Sequence, residues 1–241
     1  MGNKEKRITL FADSLALPRG KDWGNIPFER TYPYLLEKKL REKAVFQDFI
    51  FTNRAQRFRT IVQTESDFRD FAELNNTEII ILHSGIVDCA PRVFTQTQRK
   101  WIENLPSPAR RIILKIIKFA RKAIILTISK NKTYVSPDHF KKSLESILGA
   151  AKETNAKVIL LNIISPPDDL EQRSPGFQTN VKIYNKIIDD TALHYKATVI
   201  DLDTWIHKNG GHDELTCDGM HINERGHAFV SESLLKLVET T

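Results

Sequence analysis

The chain has few of the residues that define several protein classes. Two cysteines in 241 residues, Cys89 and Cys217, provide no disulfide framework and make a reducing compartment the default. The ten glycines include no Gly-rich phosphate loop. His194, His207, His212 and His227 show no metal-ligand spacing, so neither a metal nor a cofactor is expected. No apolar run is long and uncharged enough to span a bilayer, and Met1-Gly2-Asn3-Lys4-Glu5-Lys6-Arg7 offers no apolar signal core. The expectation is a cytoplasmic protein with no transmembrane segment. Zinc-finger spacing and RNP-type aromatic motifs are also missing. The net charge of +6 therefore points to an anionic substrate or a membrane surface before nucleic acid.

What remains is an ordinary globular composition, 41% hydrophobic and 27% charged, at a length that suits one α/β domain over residues 1–241. Apolar, β-branched runs predict strands at Arg7–Phe11, Val45–Asn53, Thr77–Ser84, Lys157–Ser165 and Thr198–Asp203. Ile79-Ile80-Ile81-Leu82, Val158-Ile159-Leu160-Leu161 and Val199-Ile200 are nearly continuous, as parallel strands covered on both faces should be. Helical periodicity fills the gaps at Phe28–Lys43, Thr60–Leu74, Ala109–Ser129, Pro137–Asn155, Gln178–Lys196 and Glu224–Glu239. Ser136-Pro137 and Asn223 give two of these helices their N-terminal signals. Alternating strands and helices predict a flavodoxin-like three-layer α/β/α sandwich around a five-stranded parallel sheet of order 2-1-3-4-5. The longest expected loop runs from Pro166 to Gly176 and would wall or cover a site.

Two short segments carry chemistry. Ser14, in Phe11-Ala12-Asp13-Ser14-Leu15, follows the first strand, and Asp218-Gly219-Met220-His221 precedes the last helix. In a nucleophilic hydrolase a serine attacks, a histidine takes its proton, and a carboxylate fixes the imidazole's tautomer. A three-residue step lets Asp218 and His221 lie side by side on one turn. Ligands of such sheets bind beyond the carboxyl ends of the strands. Ser14 after strand one, Asn53 closing strand two, Gly85-Ile86-Val87-Asp88 after strand three and the Asp218–His221 loop all fall on that rim. Taken singly, Ser14 could cap a helix and His221 could start one; their joint placement nominates the site.

These segments resemble, in order and over nearly the whole chain, the blocks of the GDSL or SGNH hydrolases, a flavodoxin-like family of esterases, lipases, acetylesterases and some acyltransferases. Ala12-Asp13-Ser14-Leu15 resembles the nucleophile block and Asn53-Arg54-Ala55-Gln56-Arg57-Phe58-Arg59-Thr60 the second. Gly85-Ile86-Val87-Asp88 resembles the third, and Asp218-Gly219-Met220-His221-Ile222-Asn223 the last. The resemblance implies Ser14 as nucleophile, His221 as base and then acid, Asp218 as orienting carboxylate, and a small-molecule or glycan ester as substrate. It also exposes departures. The family usually has glycine at the position of Ala12. Its second-block glycine, an oxyanion donor through the backbone, aligns with Phe58, which keeps the N–H. Its third-block asparagine aligns with Val87, which has no polar group, and loss of one such donor typically costs about 100- to 1000-fold in turnover. Asn53, His83 and Arg92 are spare donors nearby in sequence.

Arg54, Arg57 and Arg59 crowd the loop after strand two, with Arg19 after strand one and Arg92 after strand three. They are either solvated surface or a grip for an anionic, acyl-carrier-linked or glycan substrate, since guanidinium pairs well with phosphate and carboxylate. In Ala109–Ser129, Arg111, Lys115, Lys118 and Lys122 share one face. Ile113, Ile117, Ala120 and Ile124 line another, with Ile116 and Phe119 beside them. A helix packed on the sheet is the preferred reading; peripheral contact of 109–129 with an anionic membrane, or a cover over an acyl-binding cleft, is the alternative. Cys89 and Cys217 each adjoin an aspartate, either as small buried residues or as a redox pair. The leading function is a serine-dependent ester hydrolase or acyltransferase. The rival is a binding or scaffold protein with weakened catalysis, and a flavodoxin-like nucleotide binder has only fold analogy behind it.

Overall fold

The computed structural model describes residues 6–43, 49–71, 77–127 and 132–240. Five strands, β1 Lys6–Ala12, β2 Phe49–Ala55, β3 Ile79–His83, β4 Lys157–Leu161 and β5 Thr198–Ile200, form one sheet of order β2-β1-β3-β4-β5. Every pairing is parallel, with Leu10 opposite Asn53 on one side and Ile81 on the other. The first half of the chain supplies helices α1 Tyr32–Arg41, α2 Ile61–Phe71, α3 Ile86–Cys89, α4 Gln96–Glu103 and α5 Ser107–Thr127. The second half adds α6 Pro137–Glu153, α7 Asp168–Arg173, α8 Phe177–Tyr195, α9 Leu202–Lys208, α10 Gly211–Leu215 and α11 Glu224–Glu239.

Side chains alternate across a strand, so each strand feeds two cores. Phe11, Ile80, Leu82, Val158 and Leu160 pack with α2, α3, α6 and α8 on one face. Leu10, Ala12, Ile79, Ile81, Ile159 and Leu161 pack with α1, α9, α10 and α11 on the other. Both faces being dry explains the unbroken apolar runs.

Several boundaries move from their expected places, for local reasons. The first helix starts at Tyr32 rather than Phe28, because Pro33 lacks an N–H and fits only a first turn. A separate 3-10 turn takes Phe28–Arg30. The fifth strand stops at Ile200, where the Asp201 side chain turns to cap α9 by accepting the Thr204 N–H. The 166–176 segment holds the short helix α7 and walls one side of the 216–220 loop across a cleft of about 590 Å³. Residues 45–48, 72–74 and 128–129 of the expected elements lie outside the described residues.

Helix α5 corrects the preferred sequence reading, because it does not pack on the sheet. Ile125 is its buried residue, while Ile112, Ile116 and Phe119 are largely exposed. Among the described residues, no helix is long and apolar enough to cross a membrane.

Candidate active site

Ser14 opens a single 3-10 turn, Ser14–Ala16, at the carboxyl end of β1. Asp13 caps that turn by accepting the Leu15 N–H, and donates its own N–H to the His83 carbonyl at 3.1 Å. The Ser14 loop is thus tied to the central strand β3. The Asp218–His221 segment is a tight loop between α10 and α11. An antiparallel bridge between Thr216 and Ile222 closes it, and the Cys217 N–H donates to the His221 carbonyl at 2.7 Å. Gly219 has φ +80°, and a side chain there would strike Pro167, so the glycine is needed on both counts. Asn223 then caps α11 by accepting the Arg225 and Gly226 N–H groups.

The two loops meet. Ser14 Oγ lies 3.0 Å from His221 Nε2. On the far side of the ring, Nδ1 is 2.9 Å from Asp218 Oδ2 and 3.0 Å from Oδ1. With Nδ1–H donated to the carboxylate, Nε2 is left to accept from the serine hydroxyl. Asp218 Oδ1 also accepts the Met220 and His221 backbone N–H groups. Burial alone would raise the Asp218 pKa. The hydrogen bonds and charge of His221, with Arg19, outweigh it and hold the pKa near 2. The carboxylate is therefore ionised at neutral pH.

Arg19 donates to Asp218 Oδ2 at 3.0 Å and to the Trp23 carbonyl at 2.7 Å. A cavity of about 360 Å³ opens over Ser14 and His221, walled by Arg19, Trp23, Arg57, Phe58 and Met220. Phe58 has φ +62°, the left-handed region that glycine favours, and its ring is half exposed beneath the Arg99 guanidinium at 3.5 Å. Neither the Ser14 nor the Phe58 backbone N–H donates to an acceptor among the described residues.

The other candidates fall elsewhere. Asn53 lies exposed on β2, its side chain accepting the Ala55 N–H. Gly85 turns the chain into α3 at φ +135°, where a side chain would meet Ile163. Val87 is buried, and its carbonyl accepts from Arg92. Arg92 is sandwiched against the Tyr134 ring at 4.2 Å. Arg59 is buried and bonded to Gln56 and Asp67, and Arg54 lies 3.7 Å from Asp67. Of the five rim arginines, Arg19 and Arg57 border the cavity. The Arg57 bond to the Pro18 carbonyl is long, at 3.4 Å. Cys89 and Cys217 are both free thiols, Cys89 buried near Ile86 and Cys217 in the loop that carries Asp218.

A layer of buried titratable groups lies behind the site. Asp13 is pushed up to about 8, chiefly by burial, then by the charge of Asp88, against the Leu15 N–H and Arg92. Asp88 accepts the Ile61 N–H at 2.9 Å and is pushed up to about 7 by burial, against that bond and Arg92. Tyr32 joins two histidines: its hydroxyl is 3.1 Å from His83 Nδ1, and its N–H donates to His227 Nδ1 at 3.1 Å. Burial lowers His83 and His227 to about 3, with the charge of neighbouring histidines adding to the effect. Sequence patterns did not nominate Trp23, Met220 or Tyr32. Gly20 and Gly24, which bracket Trp23, mark the turn that brings Trp23 to the cavity, a cue that only the folded loop makes readable.

Fold and site together define a hydrolase-type α/β sandwich. Residues 13–229 match the GDSL-like lipase/acylhydrolase family, and the chain belongs to that family. Its fold is similar to that of a lipase/acylhydrolase from Enterococcus faecalis, with 16% identity, a TM-score of 0.65, and coverage of 98% of this chain and 96% of that one. It is also similar to a catalytic mutant of Axe2, an acetylxylan esterase from Geobacillus stearothermophilus, with 14% identity, a TM-score of 0.64, and coverage of 96% and 93%. The psychrotrophic esterase EstA from Pseudoalteromonas sp., in a structure inhibited by monoethylphosphonate, shares 13% identity at a TM-score of 0.58, with coverage of 98% and 97%. No curated protein matches the chain in sequence.

Proposed function

We propose that the protein is a serine-dependent ester hydrolase or acyltransferase working through an acyl-enzyme on Ser14. The supporting observation is the hydrogen-bonded line Ser14–His221–Asp218, drawn from two ends of the chain with bonds of 3.0 and 2.9 Å. His221 Nε2 accepts the Ser14 proton as Oγ attacks the ester carbonyl, and returns it to the departing alcohol. Water or an acceptor hydroxyl then repeats the sequence on the acyl-enzyme. Asp218 holds the imidazole in the tautomer this requires and balances its charge.

The oxyanion needs donors, and Ser14 and Phe58 offer two backbone N–H groups without acceptors among the described residues. The positive φ of Phe58, at the position where the family has glycine, supports its N–H as the second donor. Val87 supplies none, and Arg57 at the cavity wall is our candidate for the third. Arg57 also favours a substrate with negative charge near the ester, whereas Arg19 is already paired with Asp218. Carbohydrate acetyl esters are the preferred substrate class, in keeping with the acetylxylan esterase fold neighbour.

A serine-reactive fluorophosphonate probe tests the reading. Labelling that disappears in Ser14→Ala supports the enzyme. A wild-type protein that stays unlabelled while fully folded would turn the reading to the scaffold alternative, for which Val87 is the best argument.

A further inference from the structure

Helix α5 has two apolar rows. The inner row, with Ile117 and Ile125, faces the body of the protein, to which Arg121 ties the helix through the Ser174 hydroxyl and the Pro91 carbonyl. The outer row is Ile112, Ile116, Phe119, Ala123 and Leu126, spaced by four, three, four and three residues and so aligned along one side of the helix. It points into solvent: Ile112 is 61% exposed, Ile116 60% and Phe119 81%. Isolated exposed apolar side chains are ordinary, but a row running the length of a 21-residue helix marks a contact surface.

The charge on the helix selects the partner. Arg110, Arg111, Lys115, Lys118, Arg121 and Lys122 are its six cations, and it carries no Asp or Glu. Arg111, Lys115, Lys118 and Lys122 run along one flank of the apolar row, as the helical repeat places them. We propose that α5 docks on the surface of an anionic lipid bilayer, lying in its plane with Phe119 inserted among the acyl chains and the lysines at the phosphates. A second copy of the chain fits less well, because α5 would meet its twin with no carboxylate on either helix to neutralise the cations. The helix is about 30 Å long, enough to place the whole row in the interface. The docking face also adjoins the site: Met220 lines the Ser14 cavity and a groove of about 480 Å³ bordered by Lys118, Phe119 and Lys122.

Sedimentation of the full chain with phosphatidylcholine vesicles, with and without phosphatidylglycerol, tests this. Binding should require phosphatidylglycerol, weaken with salt, and fall about fivefold for each cation removed, as in Lys115→Gln with Lys122→Gln. Phe119→Ser, at a solvent-exposed position, should lower partitioning about tenfold or more, and Ile116→Trp should shift its emission to the blue only with anionic vesicles. The proposal is overturned by protein that stays in the supernatant with phosphatidylglycerol, by equal binding to both vesicles, or by a lipid-free dimer that Phe119→Ser dissociates. Fluorophosphonate labelling of the wild-type protein without lipid reads the serine separately, so failure of docking and failure of the catalytic reading are distinguishable.

Discussion

Raising the pH from 6.5 to 8 should weaken the fold, because Asp13 and Asp88 must then release protons that the unfolded chain has already lost. Their folded pKa values, about 8 and about 7, lie above the ordinary 3.8. Wherever the folded state binds more protons, stability falls as pH rises. His83 and His227 oppose this at lower pH. Held near 3 against an ordinary 6.5, they stay neutral in the fold while the unfolded chain protonates, so stability rises with pH across that interval. The two pairs roughly cancel between about pH 4 and 6.5, leaving a plateau. Above it the histidine difference is spent and the carboxylates act alone. Integrating the proton difference for all four groups gives a loss of about 2 kcal/mol by pH 8. Urea unfolding on the plateau and at alkaline pH measures it directly. Asp13→Asn keeps an oxygen for the Leu15 N–H but has no proton to lose, so it should remove most of the decline. A wild-type midpoint equal or higher at alkaline pH, or an Asn variant that declines as steeply, would refute the reasoning.

Three further outcomes follow from the site. Asp218→Asn should cut the rate of probe labelling on the order of ten-thousandfold with the fold intact, because an amide no longer fixes the productive tautomer; labelling within tenfold of wild type would remove Asp218 from the proposed role. Arg19→Gln takes away one of the cations that hold Asp218 near pH 2, so the Asp218 pKa should rise, as a carboxyl NMR titration would read; an unchanged pKa would make the ion pair structural only. Phe58→Gly should leave stability within about 1 kcal/mol, since release of a left-handed phenylalanine offsets the lost stacking on Arg99; calorimetry showing a larger loss would mean the ring carries more packing than its half exposure suggests.

The sheet was legible because its signal is local and repeated: a strand dry on both faces needs apolar residues at every position. The Ser14, Asp218 and His221 segments were legible because a short loop motif brings its own geometry. Long charged side chains were not. Arg59 reads like Arg57 in the sequence, yet Asp67 on α2 draws one inward while the other borders the cavity. Arg92 likewise turns to Tyr134 and the Val87 carbonyl and does not line the serine cavity. Their directions depend on partners distant in the chain. In α5, periodicity revealed an amphipathic helix but could not say which of two apolar rows would meet the protein, because both satisfy the same repeat.

Ser14 and His221 are separated by 207 positions. A ribosome makes the alcohol long before the imidazole that would activate it, and the imidazole arrives only with the loop that precedes α11. On the proposed acyl-enzyme route, position 14 would remain an ordinary hydroxyl until that closing segment meets it. On that route the order of synthesis would keep every half-made copy chemically silent.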